Sequence, residues 1–369
     1  GMEGRQDRLD QTFMKLMGRL QDKIKEHAIP ASSGGGFHDS WSSHQLQQSY
    51  LLGPSEAGVK EFKGAHCPSN APVKKYNVHA INVEITLNQW GDYYPGYTFA
   101  LEEDIERIRA EEKKNEKARE SDLDPGAVSN GLQGDAIQPL VIRANQGDCV
   151  RIHFSNDLED EDAGFQVNGS AMIISSSGLP ASAASPGGIT ASGETQDFEW
   201  MIPIDEQEGG HQIQSHAGRD PSSLGLTGTF VVEPVGSKYL DPWDAKPMKS
   251  GWEAMIVNDD EKDFREFVIV YHEVGDESFR PLNRFSEMIP QRDPMTDSYR
   301  PSARGINMRS EPFGINNLAQ QDKRFHFEDE SLAYSSYTFG DAPTTIPRSY
   351  LGDPAKYRLV HGGGEVFHS

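Results

Sequence analysis

Between Pro139 and Pro234 the chain carries five short runs, PLVIRA (139–144), CVRIHF (149–154), AMII (171–174), DFEWMI (197–202) and GTFVVEP (228–234). Clusters of Gly, Ser, Asn, Asp and Pro divide them. In CVRIHF, Val150, Ile152 and Phe154 alternate with Arg151 and His153, the two-residue period of a strand with one buried face. Asn145-Gln146-Gly147-Asp148 reads as a turn between strands, with Gly147 free to take the positive φ such turns need. Strands this short and this regularly spaced predict an all-β fold, a Greek-key β-sandwich or barrel.

Working outward, YNVHAINVEITLN (76–88) alternates in the same way. Residues 101–120 (LEEDIERIRAEEKKNEKARE) hold Glu/Lys and Glu/Arg pairs at helical spacing, which predicts a solvated helix inserted between two strands. Residues 122–135 read as a linker. Near the N-terminus, Leu9, Phe13, Leu16, Met17, Leu20 and Ile24 recur every three or four residues. They predict an amphipathic helix over residues 8–27, followed by a Ser/Gly/His loop over 31–45. Residues 236–251 read as a Pro-rich connector. REFVIVYHEV (265–274) is an apolar run suited to a strand covered on both faces. Residues 275–330 form a long irregular stretch, and AKYRLVHG (355–362) is strand-like. The expected organisation is a helix and flexible lead-in (1–66), a first β-domain (67–235), a linker (236–251) and a C-terminally incomplete second β-domain (252–369).

The chain has 369 residues and a net charge of −22. So acidic a surface repels nucleic acid and anionic membranes. No apolar run approaches the ~20 residues of a membrane span, and the polar N-terminus lacks the apolar stretch of a signal peptide. The default expectation is therefore a cytoplasmic location. Cys67 and Cys149 fit no CxxC metal pattern. A disulfide and two free thiols both remain open. Free thiols are the favoured reading, because Cys149 falls where a small core residue belongs. The acidic run Glu159–Asp162 reads as a solvated turn rather than a cation site. Gly362-Gly363-Gly364 lacks the Lys-Ser/Thr of a phosphate loop.

Several phrases together carry a family resemblance: CPSNAPVKKYNVHAINVEITLNQWGDYYPG (67–96), PLVIRANQGDCVRIHFSN (139–156), GTFVVEPVGSKYLDP (228–242), DFREFVIVYHE (263–273), INMRSEPF (306–313) and SYTFGDAPTTIPRSYLGDPAKYRLVHGGGEVFHS (336–369). In this order the chain resembles the bacterial multicopper oxidases, in particular the large group that includes manganese oxidases. The resemblance implies cupredoxin-like domains, copper as cofactor, and oxidation of phenols or metal ions coupled to reduction of O2 to water.

The same resemblance marks a departure. IISSSG (173–178) and IQSHAG (213–218) stand where the family carries His-x-His pairs. Residues i and i+2 of a strand face the same way, so each pair aims two imidazoles at one metal. Here Ser175, Ser177, Ser215 and Ala217 hold those four positions. Hydroxyl and methyl groups do not replace imidazole on copper. The domain is thus expected not to hold its share of a trinuclear copper cluster. His216 falls between two of the replaced positions, so its ring faces the other way. EVFHS resembles the start of the family's HxxHxH motif and makes His368 a remnant type-1 ligand. His361 is a helper at most. His368, His216 and His361 are the candidate metal ligands. Three readings follow: a copper oxidase completed by other ligands, a non-catalytic scaffold for binding or assembly, or a decayed chain with no function of its own. An incomplete second domain also predicts a homo-oligomer or a partner chain.

Overall fold

The computed structural model describes residues 67–121, 127–129, 134–170, 172–176, 181, 188–217, 224–259, 261–274, 281–288, 303–310 and 345–363. The expected helix over 8–27, the loop over 31–45, Ser177 and His368 lie outside the described residues. In chain order the elements are β1 (Val73–Thr86), β2 (Tyr93–Leu101), a 3-10 turn (Glu102–Asp104), α1 (Ile105–Glu120), β3 (Leu140–Asn145), β4 (Cys149–Asp157), β5 (Ala163–Gly164), β6 (Gln166–Val167), β7 (Ile173–Ile174), β8 (Ile189–Thr190), β9 (Thr195–Met201), β10 (Gly209–Gln214), β11 (Thr227–Glu233), β12 (Lys238–Leu240), β13 (Glu253–Val257), β14 (Phe264–Val274), β15 (Ala303–Ile306) and β16 (Ala355–His361).

Five strands form one sheet in the order β2-β1-β4-β9-β7, and four form a second in the order β3-β11-β10-β6. The pairs β1/β4 and β3/β11 are parallel. Parallel neighbours cannot be joined by a hairpin, so the chain crosses repeatedly from one sheet to the other. This is the all-β, Greek-key sandwich that the spacing of the five runs predicts. In β4, Val150, Ile152 and Phe154 are buried while Arg151 and His153 are exposed. The buried faces meet in an aromatic core. Phe165 has the rings of Phe99, Phe154 and Phe198 at 5.6, 5.7 and 6.2 Å, and Trp200 and Phe230 pack at 5.3 Å.

The charged segment after β2 is helical, as its i,i+3 and i,i+4 pairs predict. It begins at Ile105, behind the 3-10 turn. Ile108, Asn115, Ala118 and Arg119 form its buried side. Arg119 pairs with Glu84 and covers the Tyr93 ring at 4.1 Å, which seats the insertion on the first sheet.

β12, β13, β14 and β15 form a third sheet, with β16 running parallel to β14. β12 lies inside the segment read as a connector, so this sheet begins before residue 252. β11 and β3 are buried along their whole length. One face of β11 closes the sandwich, and the other packs Val231, beside Val141, on Val268, Val270 and Val360 of the third sheet. REFVIVYHEV is a strand of the predicted buried kind, for the same reason. Among the described residues no helix is long and apolar enough to cross a membrane.

The cysteine reading is corrected. Cys67 and Cys149 form a disulfide. Cys149 is a buried strand residue, as its pattern implies. However, β1 runs beside β4 with Val73 opposite Cys149, and Cys149 N–H donates to Pro72 O, which brings the preceding Cys67 alongside. Strand pairing, which one run of sequence does not reveal, decides the outcome. The bond closes a loop with a sequence separation of 82. Replacing both cysteines by serine is expected to lower the urea-unfolding free energy by about 3–4 kcal/mol. Reductant should reproduce that loss in the native chain and have no effect on the double variant.

Candidate functional site

The described positions expected to bear metal ligands lie just past or at strand ends. Ser175 follows β7 in an exposed turn, and its N–H donates to Asp197 O. Ser215 follows β10 and is 4% exposed. Its Oγ accepts the Gly164 N–H at 2.9 Å and the Ala217 N–H at 3.3 Å. Ala217 is buried and brings no donor. His216 is exposed. The Gln214 side-chain amide donates to its Nε2 at 2.5 Å, and partial burial lowers its pKa. His361, at the end of β16, accepts the Gly363 N–H on Nδ1.

Copper is the cofactor implied by the resemblance, and these residues do not fit it. Of the replaced positions that are described, one is an exposed hydroxyl, one a methyl, and one a hydroxyl already committed to two main-chain donors. Among the described residues, one group of three His, Cys, Asp or Glu side chains is close enough to share an ion: Cys67, Cys149 and Glu199. Its two sulfurs are bonded to each other.

A buried ion network that the reading of the residues missed lies between the second and third sheets. Arg143 on β3 and Glu266 on β14 are both fully buried, and Arg143 Nε donates to Glu266 Oε1 at 2.8 Å. Arg358 on β16 donates from Nε to the other oxygen, Oε2, at 2.9 Å. Arg358 also pairs with Glu208 and, at 3.4 Å, with Glu233 Oε2 on β11. Lys356 Nζ donates to both Glu208 oxygens, at 2.6 and 2.8 Å.

Burial pushes the Glu266 carboxyl up, but Arg143, the hydrogen bond from Glu233 and Arg358 outweigh it and hold it below the usual glutamate range. Burial pushes Glu233 up too. There Glu266 adds to the effect, and the two arginines do not offset it, so its carboxyl stands well above the usual range. Glu233 Oε1 and both Nη atoms of Arg143 have no hydrogen-bond partner. The available signal was a charged residue set within each of four strand-like runs: Arg143 in PLVIRA, Glu233 in GTFVVEP, Glu266 in REFVIV and Arg358 in AKYRLV.

A cleft of about 410 Å³ opens between the helical insertion and residues 241–251. Leu101, Ile108, Leu140 and Met248 supply apolar lining, and Lys249 Nζ meets Glu103 Oε1 at 2.6 Å on its wall.

No family model matches the chain, and no curated protein does. Among solved structures it is similar to a multicopper oxidase from Pseudomonas thermotolerans, at 14% identity and a TM-score of 0.35 over 66% of this chain and 43% of that one. A metallo-oxidase of the multicopper kind from Campylobacter jejuni gives 15%, 0.36, 67% and 38%. A copper nitrite reductase from Nitrosomonas europaea gives 13%, 0.38, 78% and 67%. The chain spans less than half the length of the two oxidases. At these values the likeness concerns the arrangement of strands alone and singles out no subgroup of oxidases.

Two substitutions test these contacts. Ser215→Ala leaves two buried N–H groups without their acceptor and should cost about 1–3 kcal/mol in urea unfolding. Arg358→Met strands buried carboxylate charge and should cost about 3–5 kcal/mol. A cost below ~0.5 kcal/mol in either would show that the contact contributes little.

Proposed function

We propose that this chain is a multicopper-oxidase-like scaffold that holds no trinuclear copper of its own and acts through its surface as a binding or assembly module. The observation that carries this reading is Ser215. Its hydroxyl ties two main-chain N–H groups at the end of β10, where the resemblance calls for an imidazole. A hydroxyl used in this way is a structural cap, and the neighbouring Ala217 adds no ligand atom. The cleft between the insertion and residues 241–251, with apolar and charged groups together, is the concave surface such a module offers; pockets of ~300–1,000 Å³ are the usual size for small ligands.

The competing reading is the parent activity, electron transfer from a phenol or metal ion to O2 through copper. Elemental analysis separates the two. After incubation with copper and desalting, the purified chain is expected to retain far less than one copper per molecule and to show no blue absorption. Introducing Ser175→His, Ser177→His, Ser215→His and Ala217→His together should raise copper retention, since imidazole restores the donor type. Stoichiometric copper in the unaltered chain, with oxygen-dependent oxidation of a phenol, would reverse the proposal.

A further inference from the structure

We propose that Glu233 and Glu266 share a single proton across the seam between the second and third sheets, and that losing this proton loosens the docking of the two sheets. Both side chains are fully buried, so no solvent screens them. Their positions are not equivalent. Glu266 takes an arginine Nε on each oxygen, one from each sheet, and its charge is matched. Glu233 has a long contact to Arg358, which is already shared with Glu266 and Glu208, and an Oε1 with no partner at all. An ionised carboxylate is poorly served there. Arg358 meets both carboxyls, Glu266 Oε2 through Nε at 2.9 Å and Glu233 Oε2 through Nη2 at 3.4 Å, so the two acids flank one guanidinium and a proton on Glu233 relieves the unmatched charge.

The other charged and titratable groups packed around the seam do not supply the missing partner. Lys356 is engaged by Glu208. The Tyr76 hydroxyl donates to Arg143 O, and the Tyr239 hydroxyl donates to Asn145 Oδ1. Asp148 accepts the Asn145 N–H. Arg143 directs its Nε to Glu266 and leaves both Nη atoms unpaired rather than bonding Glu233.

Location gives the proton its consequence. Glu233 lies on β11 of the sandwich and Glu266 on β14 of the third sheet. Removing the proton sets two like charges on facing sheets, and their repulsion acts across the junction rather than within either layer. The hydrophobic cluster at the contact, with Val141, Val231, Val268, Val270 and Val360 beside Trp252, Phe267 and Ile269, offers no compensating charge. The sign follows from linkage. A carboxyl whose folded pKa is raised favours the folded state below the unfolded glutamate pKa. That contribution is lost progressively as pH rises towards the folded value.

Infrared difference spectroscopy of the full chain tests this directly. At about pH 8, above the ordinary carboxyl range, the native protein should show the C=O stretch of a protonated carboxylic acid. Glu233→Gln should remove that band. Gln is the nearest isostere of the neutral acid, so the variant should fold. Its urea midpoint should be flatter than the native one between about pH 6 and about pH 9. Trp252, buried in the third sheet, should lose fluorescence shielding at alkaline pH before Trp200 of the sandwich core does. A native spectrum without the band at that pH, a band unchanged by Glu233→Gln, or parallel pH profiles for the two proteins would each overturn the proposal. If Glu233→Gln does not fold, the presence or absence of the native band decides alone.

Discussion

Glu266 is the point on which the arrangement of the sheets depends. Its two oxygens bind guanidinium nitrogens from two different sheets, Arg143 of β3 and Arg358 of β16. A buried ion pair is a weak source of net stability, because desolvation offsets most of the attraction. Its geometric demand is strict all the same. Both arginine Nε groups point at one carboxylate in one register. A slip of β14 by one residue would turn Glu266 away and place Arg265 or Phe267 at the seam. The valines of the same contact are interchangeable in a way these three charges are not. Hydrophobic burial therefore drives the third sheet onto the sandwich, and the ions specify where it stops.

That division of labour explains what could be read from the residues alone. β4 was legible because alternation is a one-body property: CVRIHF states which side chains face inward without reference to any partner. α1 was legible for the same reason, since i,i+4 pairs are local. The disulfide was not. Nothing in the runs around Cys67 and Cys149 says that β1 and β4 lie side by side and parallel, and without that pairing Cys149 resembles any small core residue. The ion network was missed for a related reason. Arg143 and Glu233 occur in runs buried along their whole length, where a charged residue is the anomaly. Within a single strand such a residue looks like a solvated face, and its meaning appears only when the facing strand brings the opposite charge.

The candidate metal positions show a third kind of legibility. Their location rests on the resemblance alone, and their residue types were open to chemical argument. What the residues do now was not readable. Ser215 could have been an idle hydroxyl at the rim of a vacated pocket. In the structure it accepts the N–H of Gly164, on β5, and that of Ala217, two residues further along its own chain. Both donors would otherwise be buried without a partner, a cost of about 1–3 kcal/mol.

This bears on how such a site passes from chemistry to structure. An imidazole ligand must leave its metal-facing nitrogen unprotonated and unshared, so a ligand position contributes little to the apo fold. A serine whose oxygen receives two main-chain donors does the reverse. It stabilises the strand end whether or not an ion is present. Ala217 beside it fills space with a methyl that needs no partner. On the proposed reading, residues of this kind help the strand end to form without metal, which is what a scaffold acting through its surface requires.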